Sequence, residues 1–518
     1  MNTFTLGLIV IVYLLSLAFL GYLGYKKTTS ASDYLVGGRE MNPFVMALSY
    51  GATFISASAI VGFGGVAAAQ GMGIQWLAML NMLVGVIIAF IFFGLRTRRL
   101  GEKYNVSTFP GLIGKHYNSK HIQVFIGAVI FIGMPLYTAV VMKGGAVFIE
   151  EIFAIDYNIA LLIFTLIIAA YVIAGGIKGV MYTDTLQACI MFICMLFLIL
   201  WLYKSLGMGF VEANEKLGAL TSRLAPEEFA AMSKKGFTGW TSMPAFNSPQ
   251  WYTLVTTLIL GVGIGCLAQP QLVVRFMTVK SSKEIRRGVL VGCVFLLITV
   301  GTIYHAGALS NLYFFQTKGA IATDLVKDID KIIPYFINQA MPSWFTALFM
   351  LCILSASMST LSSLFHTMGS AAGSDIYNVI SKKPSQLTKV IRLGVLVSIV
   401  LSYIICYMLP NDFIARGTAI FMGICASSFL PAYFSMLYWK GATRQGAIAS
   451  LWTGSFASVF AMFFLHQKEA AALGLCKALF GTEVLIEANP WPMIDPILFA
   501  FPASILAMYI GSLLTQKK

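Results

Sequence analysis

The sequence predicts an all-α integral membrane protein of about thirteen transmembrane helices in a single domain. Of its 518 residues, 58% are hydrophobic and only 11% are charged, which is too apolar for a soluble chain of this length. Apolar stretches recur from end to end, and many approach the roughly 20 residues that a helix needs to cross a bilayer. Basic residues concentrate in alternate loops between these stretches. Membrane lipid is therefore the expected surroundings of the whole chain.

In chain order, the predicted spans cover residues 5–24, 42–70, 73–95, 122–153, 158–175, 180–203, 250–275, 287–312, 342–377, 392–409, 412–438, 445–466 and 492–514. We expect the first span to remain in the mature protein. Met1 to Leu6 carries no basic residue, and the apolar run that follows has about the length of a full span, unlike a cleaved signal peptide.

The loops rich in lysine and arginine are expected on the cytoplasmic side by the positive-inside rule. Their basic residues are Lys26, Lys27, Arg39, Arg96, Arg98, Arg99, Lys103, Lys115, Lys120, Lys178, Lys280, Lys283, Arg286, Arg287, Lys382, Lys383, Lys389, Lys440, Arg444, Lys517 and Lys518. This places the N-terminus outside and the C-terminus inside, with the hydrophilic stretches 205–248 and 311–338 outside. The predicted location is the inner (plasma) membrane of the cell.

Composition also excludes several classes of function. The formal charge of +14 is spread over alternate loops, which indicates membrane orientation rather than nucleic-acid binding. Seven of the eight cysteines lie in predicted spans, without the spacing of a disulfide framework or a zinc site. The sequence has no phosphate-binding Gly-Lys loop, so ATP is not the expected energy source.

The second and seventh spans contain residues that loosen a helix. Ser49–Gly65 is rich in Gly, Ser and Ala, and Gly261–Gln271 contains three glycines and Pro270. Small residues also allow close helix packing, so composition alone favours neither explanation. A helix broken inside a membrane is tolerated where its free carbonyl and amide groups line a site. Because the two spans are five apart, they match the broken members of two inverted five-helix repeats.

The ninth span carries a face of hydroxyl groups. On helical geometry Ala356, Ser359, Thr360 and Ser363 share one face, with Ser362 beside it. Such hydroxyls often only bond a carbonyl of the preceding turn. The length of this run favours a ligand surface for a hard cation, and neutral oxygens suit a monovalent one.

Two of the charged residues inside or next to apolar spans are candidates for function. Asp184 opens the sixth span, where it caps the helix start, belongs to an ion pathway, or does both. Lys143 lies in the middle of the fourth span, at a cost of about 2.5 to 3.5 kcal/mol on insertion scales. It is either a snorkelling or structurally paired lysine or a counter-charge for an anionic substrate.

Four motifs resemble the sodium:solute symporter family: Gly175–Gln187, Ala356–Ser363, Gln269–Phe276 and Gly37–Arg39. The resemblance covers essentially the whole chain and implies a leucine-transporter-type fold with two inverted five-helix repeats. These would span 42–203 and 250–438. An N-terminal helix and loop at 1–41, an outer loop at 204–249 and two C-terminal helices at 439–518 complete the implied organisation.

The resemblance also implies the residues of each site. The shared sodium site would use the carbonyls of Ala52, Ile55 and Ala356 with the hydroxyls of Ser359 and Thr360. A second sodium site, as in bacterial sialic acid carriers of the family, maps onto Asp184, Ser359, Ser362 and Ser363. The substrate site would use Ser58, Tyr137, Lys143, Val262, Cys266 and Gln269.

Substrate identity depends on weaker signals. Of the aromatic residues that proline carriers place around their ligand, only Tyr137 has a counterpart, since Ser58, Val262 and Cys266 fill the other positions. The stretch Phe54–Gly62 looks more like the pantothenate and monocarboxylate carriers, and Lys143 would suit an organic anion. We therefore expect sodium-coupled import of a small carboxylate, with a proline-like amino acid or a sugar as the alternative.

Other classes fit less well. A membrane enzyme would have His305, His366 and Asp184 as acid–base groups, but they lie on separate spans without a nucleophile motif. No repeated selectivity filter of a channel is visible, and no signalling domain of a sensor is attached. The expected partners are therefore sodium, a small-molecule substrate and lipid, with no nucleic acid, and the expected functional unit is a monomer.

Overall fold

The computed structural model describes residues 3–27, 31–172, 176–381 and 386–516. Gly175, Lys382, Lys383, Lys517 and Lys518, which entered the motif and orientation arguments, lie outside these ranges.

Within the described residues, eleven helices are long and apolar enough to cross a membrane. They are Gly7–Lys26, Met72–Lys103, Lys120–Phe153, Ile177–Leu206, Pro249–Ala268, Ser282–Lys318, Ser343–Ser381, Leu387–Met408, Ile414–Tyr438, Arg444–Phe464 and Ile497–Thr515. The second predicted span consists of two helices, Pro43–Phe54 and Ser58–Gln70, that meet at a bend of 57°. The fifth predicted span is the shorter apolar helix Tyr157–Ala169. Each predicted span thus contains a helix within the described residues, and the fifth of these helices runs up to their limit at Val172.

Two spans form the centre of the bundle. In both Ser343–Ser381 and Ile414–Tyr438, 89% of the most apolar stretch is buried, against 17% in the first span. The first span therefore lies at the periphery, with much of its surface available to lipid. The hydroxyl face of the ninth span, by contrast, is enclosed entirely by protein.

Both predicted helix breaks are present. The second span leaves helical geometry at Ile55, whose backbone is extended (φ −90°, ψ 100°). The seventh span is interrupted at Gln269 (φ −70°, ψ 115°) and resumes as a helix at Pro270. The residue before a proline avoids helical geometry, and proline is favoured in the first turn of a helix. The local sequence Gln269–Pro270 therefore explains the break in the seventh span.

One helix outside the candidate spans covers the broken second span. Ile329–Ala340 buries the apolar face formed by Ile332, Ile333, Phe336 and Ile337. Its start passes so close to Gly65 that a Cβ atom there would lie 2.2 Å from the Ile329 carbonyl oxygen. On the predicted orientation this helix lies on the extracellular side.

Candidate functional site

The break in the second span meets the hydroxyl face of the ninth. Ser359 Oγ donates to the Ala52 carbonyl at 2.8 Å, and Thr360 Oγ1 donates to the Thr53 carbonyl at 3.0 Å. Thr360 Oγ1 also lies 3.5 Å from the Ala52 carbonyl oxygen, and Ser359 Oγ lies 3.3 Å from that of Ala356. Ile55 directly follows the end of the first half-helix. The predicted ligands of the first sodium site therefore come from two adjoining elements.

These oxygen atoms are all neutral. Ser359 and Thr360 have no solvent-exposed surface, so a cation bound here would be fully enclosed by protein. Carbonyl and hydroxyl oxygens are the ligands of hard cations, and a set without a formal charge favours a monovalent ion over a divalent one.

Asp184 lies beside this region and is fully buried. Its Oδ2 accepts hydrogen bonds from Ser49 Oγ at 2.7 Å, Arg275 Nη2 at 3.0 Å and Thr53 Oγ1 at 3.3 Å. Its Oδ1 accepts none from the described residues. Asp184 lies about two turns inside the helix Gly176–Leu206. This position does not fit helix capping, and a role of Asp184 in an ion pathway stays a prediction.

Arg275 connects Asp184 to the hydroxyl face. Its Nη2 also donates to Ser363 Oγ, and its Nη1 donates to the Gln271 carbonyl. The structure thus brings Asp184 and Ser363 together around one cation, the guanidinium of Arg275. The hydroxyl of Ser362 bonds its own helix, through the Ser359 carbonyl at 3.1 Å.

Arg275 belongs to this candidate site, and in the sequence it stands out only as part of the motif Gln269–Phe276. A charged residue within an apolar segment carries its own signal, because burying it is costly without a partner. The sequence does not indicate the carboxylate with which Arg275 pairs, since 91 residues separate Arg275 from Asp184.

A small cavity lies next to the broken second span. Its lining includes Ser58, Tyr137 and Val262, three of the residues predicted for the substrate site. Its further polar lining residues are Ser56, Asn81, Tyr304 and Thr418. Thr418 Oγ1 donates to Ser58 Oγ at 2.9 Å, which in turn contacts Ser56 Oγ. Asn81 Oδ1 has no hydrogen-bond partner among the described residues.

The additional polar lining residues come from four elements that the sequence did not connect. Ser56, Asn81, Tyr304 and Thr418 lie in or beside the second, third, eighth and eleventh spans. A polar residue inside an apolar span was the available signal for Asn81 and Thr418.

Three residues predicted for the substrate site lie outside the lining of this cavity. Cys266 Sγ donates to the Gly263 carbonyl at 3.2 Å, and Gln269 Oε1 accepts from Gln271 Nε2 at 3.0 Å. Lys143 Nζ donates to the Pro410 carbonyl and lies 3.4 Å from that of Leu409. In this conformation Lys143 anchors the loop that precedes the eleventh span.

The cavity measures about 20 Å³, which is close to the space that one water molecule occupies. An organic solute needs a wider site, so its binding requires the surrounding helices to separate. Movement of one helix bundle against another around a central site is how alternating-access carriers work.

The profile of the sodium:solute symporter family matches residues 34–454, which is most of the chain. The chain belongs to the sodium:solute symporter family. Among its curated relatives is the osmoregulated proline transporter OpuE of Bacillus subtilis, 27% identical over 86% of this chain and 86% of that protein. Another is the high-affinity proline transporter PutP of the same organism, 26% identical over 96% and 95% of the two chains.

Solved structures support the fold of this symporter. A sodium-coupled sialic acid symporter, in a substrate-bound outward-open state, covers 98% of this chain and 97% of its own with a TM-score of 0.73 at 17% identity. Mhp1, a nucleobase-cation-symport-1 family transporter, covers 94% and 96% with a TM-score of 0.51 at 14% identity. Both likenesses confirm the predicted leucine-transporter-type helical fold.

Family membership establishes the broad activity. This chain is a multi-pass membrane protein and a sodium-coupled symporter of a small solute, and it is not an enzyme. The histidines considered for acid–base chemistry have other contacts, since His305 hydrogen-bonds Tyr203 and His366 packs against the ring of Tyr34.

Proposed function

We propose that this symporter imports a small zwitterionic amino acid of the proline type together with sodium. The observation that carries the proposal is the character of the cavity, whose described lining contains hydroxyl and amide groups but no charged side chain. A zwitterion has no net charge, so it needs hydrogen-bonding partners for its two ends rather than a protein counter-charge.

The polar groups of the cavity suit both ends of such a solute. The hydroxyls of Ser58, Thr418 and Tyr137 can donate to a carboxylate, and the free Oδ1 of Asn81 can accept from an amine. Both curated relatives described above are proline transporters. They favour the amino-acid alternative over the monocarboxylate that the motif at Phe54–Gly62 suggested. A simple organic anion would also have no counter-charge from Lys143, because in this conformation Lys143 bonds loop carbonyls.

For the coupling ion, the proposed first site comprises Ala52, Ile55, Ala356, Ser359 and Thr360. The proposed second site comprises Asp184, Ser359, Ser362 and Ser363. In the second site the guanidinium of Arg275 engages Asp184 Oδ2, while Oδ1 has no partner among the described residues and is free for an ion. Two sodium ions with a zwitterion would carry a net charge of +2, so import would be driven by the membrane potential.

The orientation and organisation belong to the same proposal. The basic loops place the N-terminus outside and the C-terminus in the cytoplasm, in the plasma membrane. Residues 42–203 and 250–438 act as the two repeats, with 1–41, 204–249 and 439–518 as the accessory segments, and a single chain is the transporting unit.

The decisive experiment is uptake into proteoliposomes under an inward sodium gradient, with a potassium gradient as the control. Labelled proline, a monocarboxylate, pantothenate and a neutral sugar are compared at equal concentration. We expect sodium-dependent uptake of the amino acid. Uptake of the monocarboxylate or pantothenate instead would overturn the zwitterion proposal, and equal uptake in potassium would contradict coupling to sodium.

A variant pair connects substrate to this cavity. Thr418→Ala should raise the half-saturating substrate concentration, because it removes a lining hydroxyl. Ser398→Ala is the matched control, since Ser398 is buried but bonds its own helix through Gly394 at 2.8 Å. An unchanged substrate affinity in Thr418→Ala would place the substrate elsewhere.

A further inference from the structure

A second cavity lies beyond Arg275, toward the basic loops. It measures about 30 Å³, which is room for one or two water-sized particles. Its lining includes Arg275, Ser363, Thr108, Ser370 and Asp375. Since Arg275 and Ser363 are also bonded to each other beside Asp184, the cavity adjoins the proposed second sodium site.

Three buried oxygen atoms on the residues around this cavity have no hydrogen-bond partner among the described residues. They are Oδ2 of Asp375, Oγ of Ser370 and Oε1 of Gln271, whose residues are between 0% and 6% exposed. A buried polar atom without a partner costs about 1 to 3 kcal/mol, more if it is charged, so three around one cavity favour the binding of a small polar or charged ligand there.

The charged side chains that line the cavity indicate the charge of its ligand. Asp375 Oδ1 accepts from Thr108 Oγ1 at 2.7 Å and from Gln123 Nε2 at 2.9 Å, both of which are uncharged. Arg275 also faces the cavity, but its charge is compensated by Asp184 at 3.0 Å. When it is ionised, the carboxylate of Asp375 has no basic partner among the described residues, so a bound cation would supply its counter-charge.

We propose that this cavity is an additional binding site for a monovalent cation, which sodium occupies on its way to the cytoplasm. The ligands are the carboxylate of Asp375, the hydroxyl of Ser370 and the amide oxygen of Gln271. One carboxylate with neutral oxygens suits a monovalent ion, and the remaining room allows a water to complete its coordination. The proposal rests on the sodium coupling and the orientation given above.

The position of Asp375 supports a release role. It lies at the end of the ninth span, about four turns beyond Ser359 on the same helix. Thr108, its hydrogen-bond partner, caps the helix Phe109–His116 by accepting from the Gly111 amide at 3.1 Å. That helix follows the basic segment that contains Arg96, Arg98 and Arg99, which the positive-inside rule places in the cytoplasm.

The test measures sodium separately on the two faces of the membrane. Right-side-out vesicles containing the full-length protein are loaded with increasing sodium, and the internal concentration that halves substrate uptake is determined. The external concentration that gives half-maximal uptake is measured in the same vesicles. Any solute that the wild type transports serves as the probe, so the test does not depend on proline being the substrate.

We expect Asp375→Asn to raise the half-inhibiting internal sodium concentration about tenfold or more, because an ionised ligand is lost. Ser370→Ala should raise it by about threefold, through loss of a neutral ligand. Neither variant should change the external sodium dependence. Ser398→Ala, which removes a buried hydroxyl away from this cavity, is the control and should change neither value.

Each other outcome has a distinct meaning. If the wild type responds to internal sodium and both variants respond identically to it, the cavity holds water only and the proposal fails. An equal shift on both faces would likewise overturn a release site. If Asp375→Asn does not reach the membrane, Ser370→Ala decides, because its hydroxyl has no described bond to lose. A wild type without any sodium response would instead contradict the coupling on which the proposed function depends.

Discussion

The guanidinium Nη2 of Arg275 lies 3.0 Å from Oδ2 of Asp184, and the two side chains are 2% and 0% exposed. The same nitrogen donates to Ser363 on the ninth span. This buried ion pair therefore joins the sixth, seventh and ninth spans at the place where the second sodium is proposed to bind. A protein cation and a transported cation thus share one carboxylate, so the pair links ion binding to the packing of three helices.

Breaking this pair from one side should be strongly destabilising. Arg275→Gln or Asp184→Asn leaves an uncompensated buried charge, at a cost of about 3 to 5 kcal/mol. The double variant removes both charges and should recover much of that loss. Thermal unfolding of the purified protein in detergent measures the cycle. Strictly additive losses would show that the two side chains do not stabilise each other.

The first sodium site should respond to loss of a single hydroxyl. Thr360→Ala removes one expected ligand, an effect of about 1.5 to 3 kcal/mol for a bond to a charged group, so the half-saturating sodium concentration should rise about tenfold or more. Ser357→Ala is the control on the same helix, since its hydroxyl bonds only Ile353 at 2.8 Å among the described residues. Identical sodium dependence in the two variants would remove Thr360 from the site.

Lys143 is expected to hold the loop at residues 409–414 in place. Because it donates to the Pro410 carbonyl, Lys143→Met should increase hydrogen exchange of the 409–414 amides and leave the half-saturating substrate concentration unchanged. Exchange measured by mass spectrometry, together with uptake, separates the roles. A higher half-saturating concentration with unchanged exchange would return Lys143 to the role of substrate counter-charge that the sequence left open.

Two glycines on one helix should differ sharply on substitution. A Cβ at Gly307 would lie 2.2 Å from the Gly64 carbonyl of the second span, whereas a Cβ at Gly301 meets nothing within 4 Å. Gly307→Ala should cost about 1 to 3 kcal/mol by forcing the helices apart. Gly301→Ala should be neutral or stabilising by up to about 1 kcal/mol. Thermal unfolding of both variants checks this, and equal stability would show that the second span adjusts freely.

The covering helix Ile329–Ala340 should make stability depend on pH. Burial raises the pKa of the Asp330 carboxyl to about 7, with Lys143 lowering it and Asp328 raising it. Between its ordinary value near 3.8 and about 7, the folded protein then binds more protons at this group than the unfolded chain. The contribution of Asp330 to stability is therefore complete below about pH 4 and is lost as pH rises to about 7.

Asp330→Asn should flatten this part of the profile. Thermal unfolding between pH 4.5 and 7.5 compares it with the wild type and with Glu212→Gln, which alters an exposed pair with Lys216. A wild-type slope that persists in Asp330→Asn would assign the pH dependence to another group.

The sequence by itself determined the membrane location, the helical class and the places where two helices break. Apolar length and basic loops are local properties, and so is the proline that ends helical geometry at Gln269. The hydroxyl face from Ser359 to Ser363 also follows from helical period alone. The motifs also indicated the family, because each is a short contiguous stretch of sequence.

Only the tertiary structure decided which of these residues meet. Helical period places a side chain on a face but does not say which distant helix covers that face. Arg275 therefore had no readable partner until the fold brought it to Asp184. For the same reason the sequence did not show that Lys143 bonds the loop carbonyl of Pro410. The candidate substrate cavity draws on residues as far apart as Ser56 and Thr418, and contacts between such distant segments are set by helix packing rather than by local sequence.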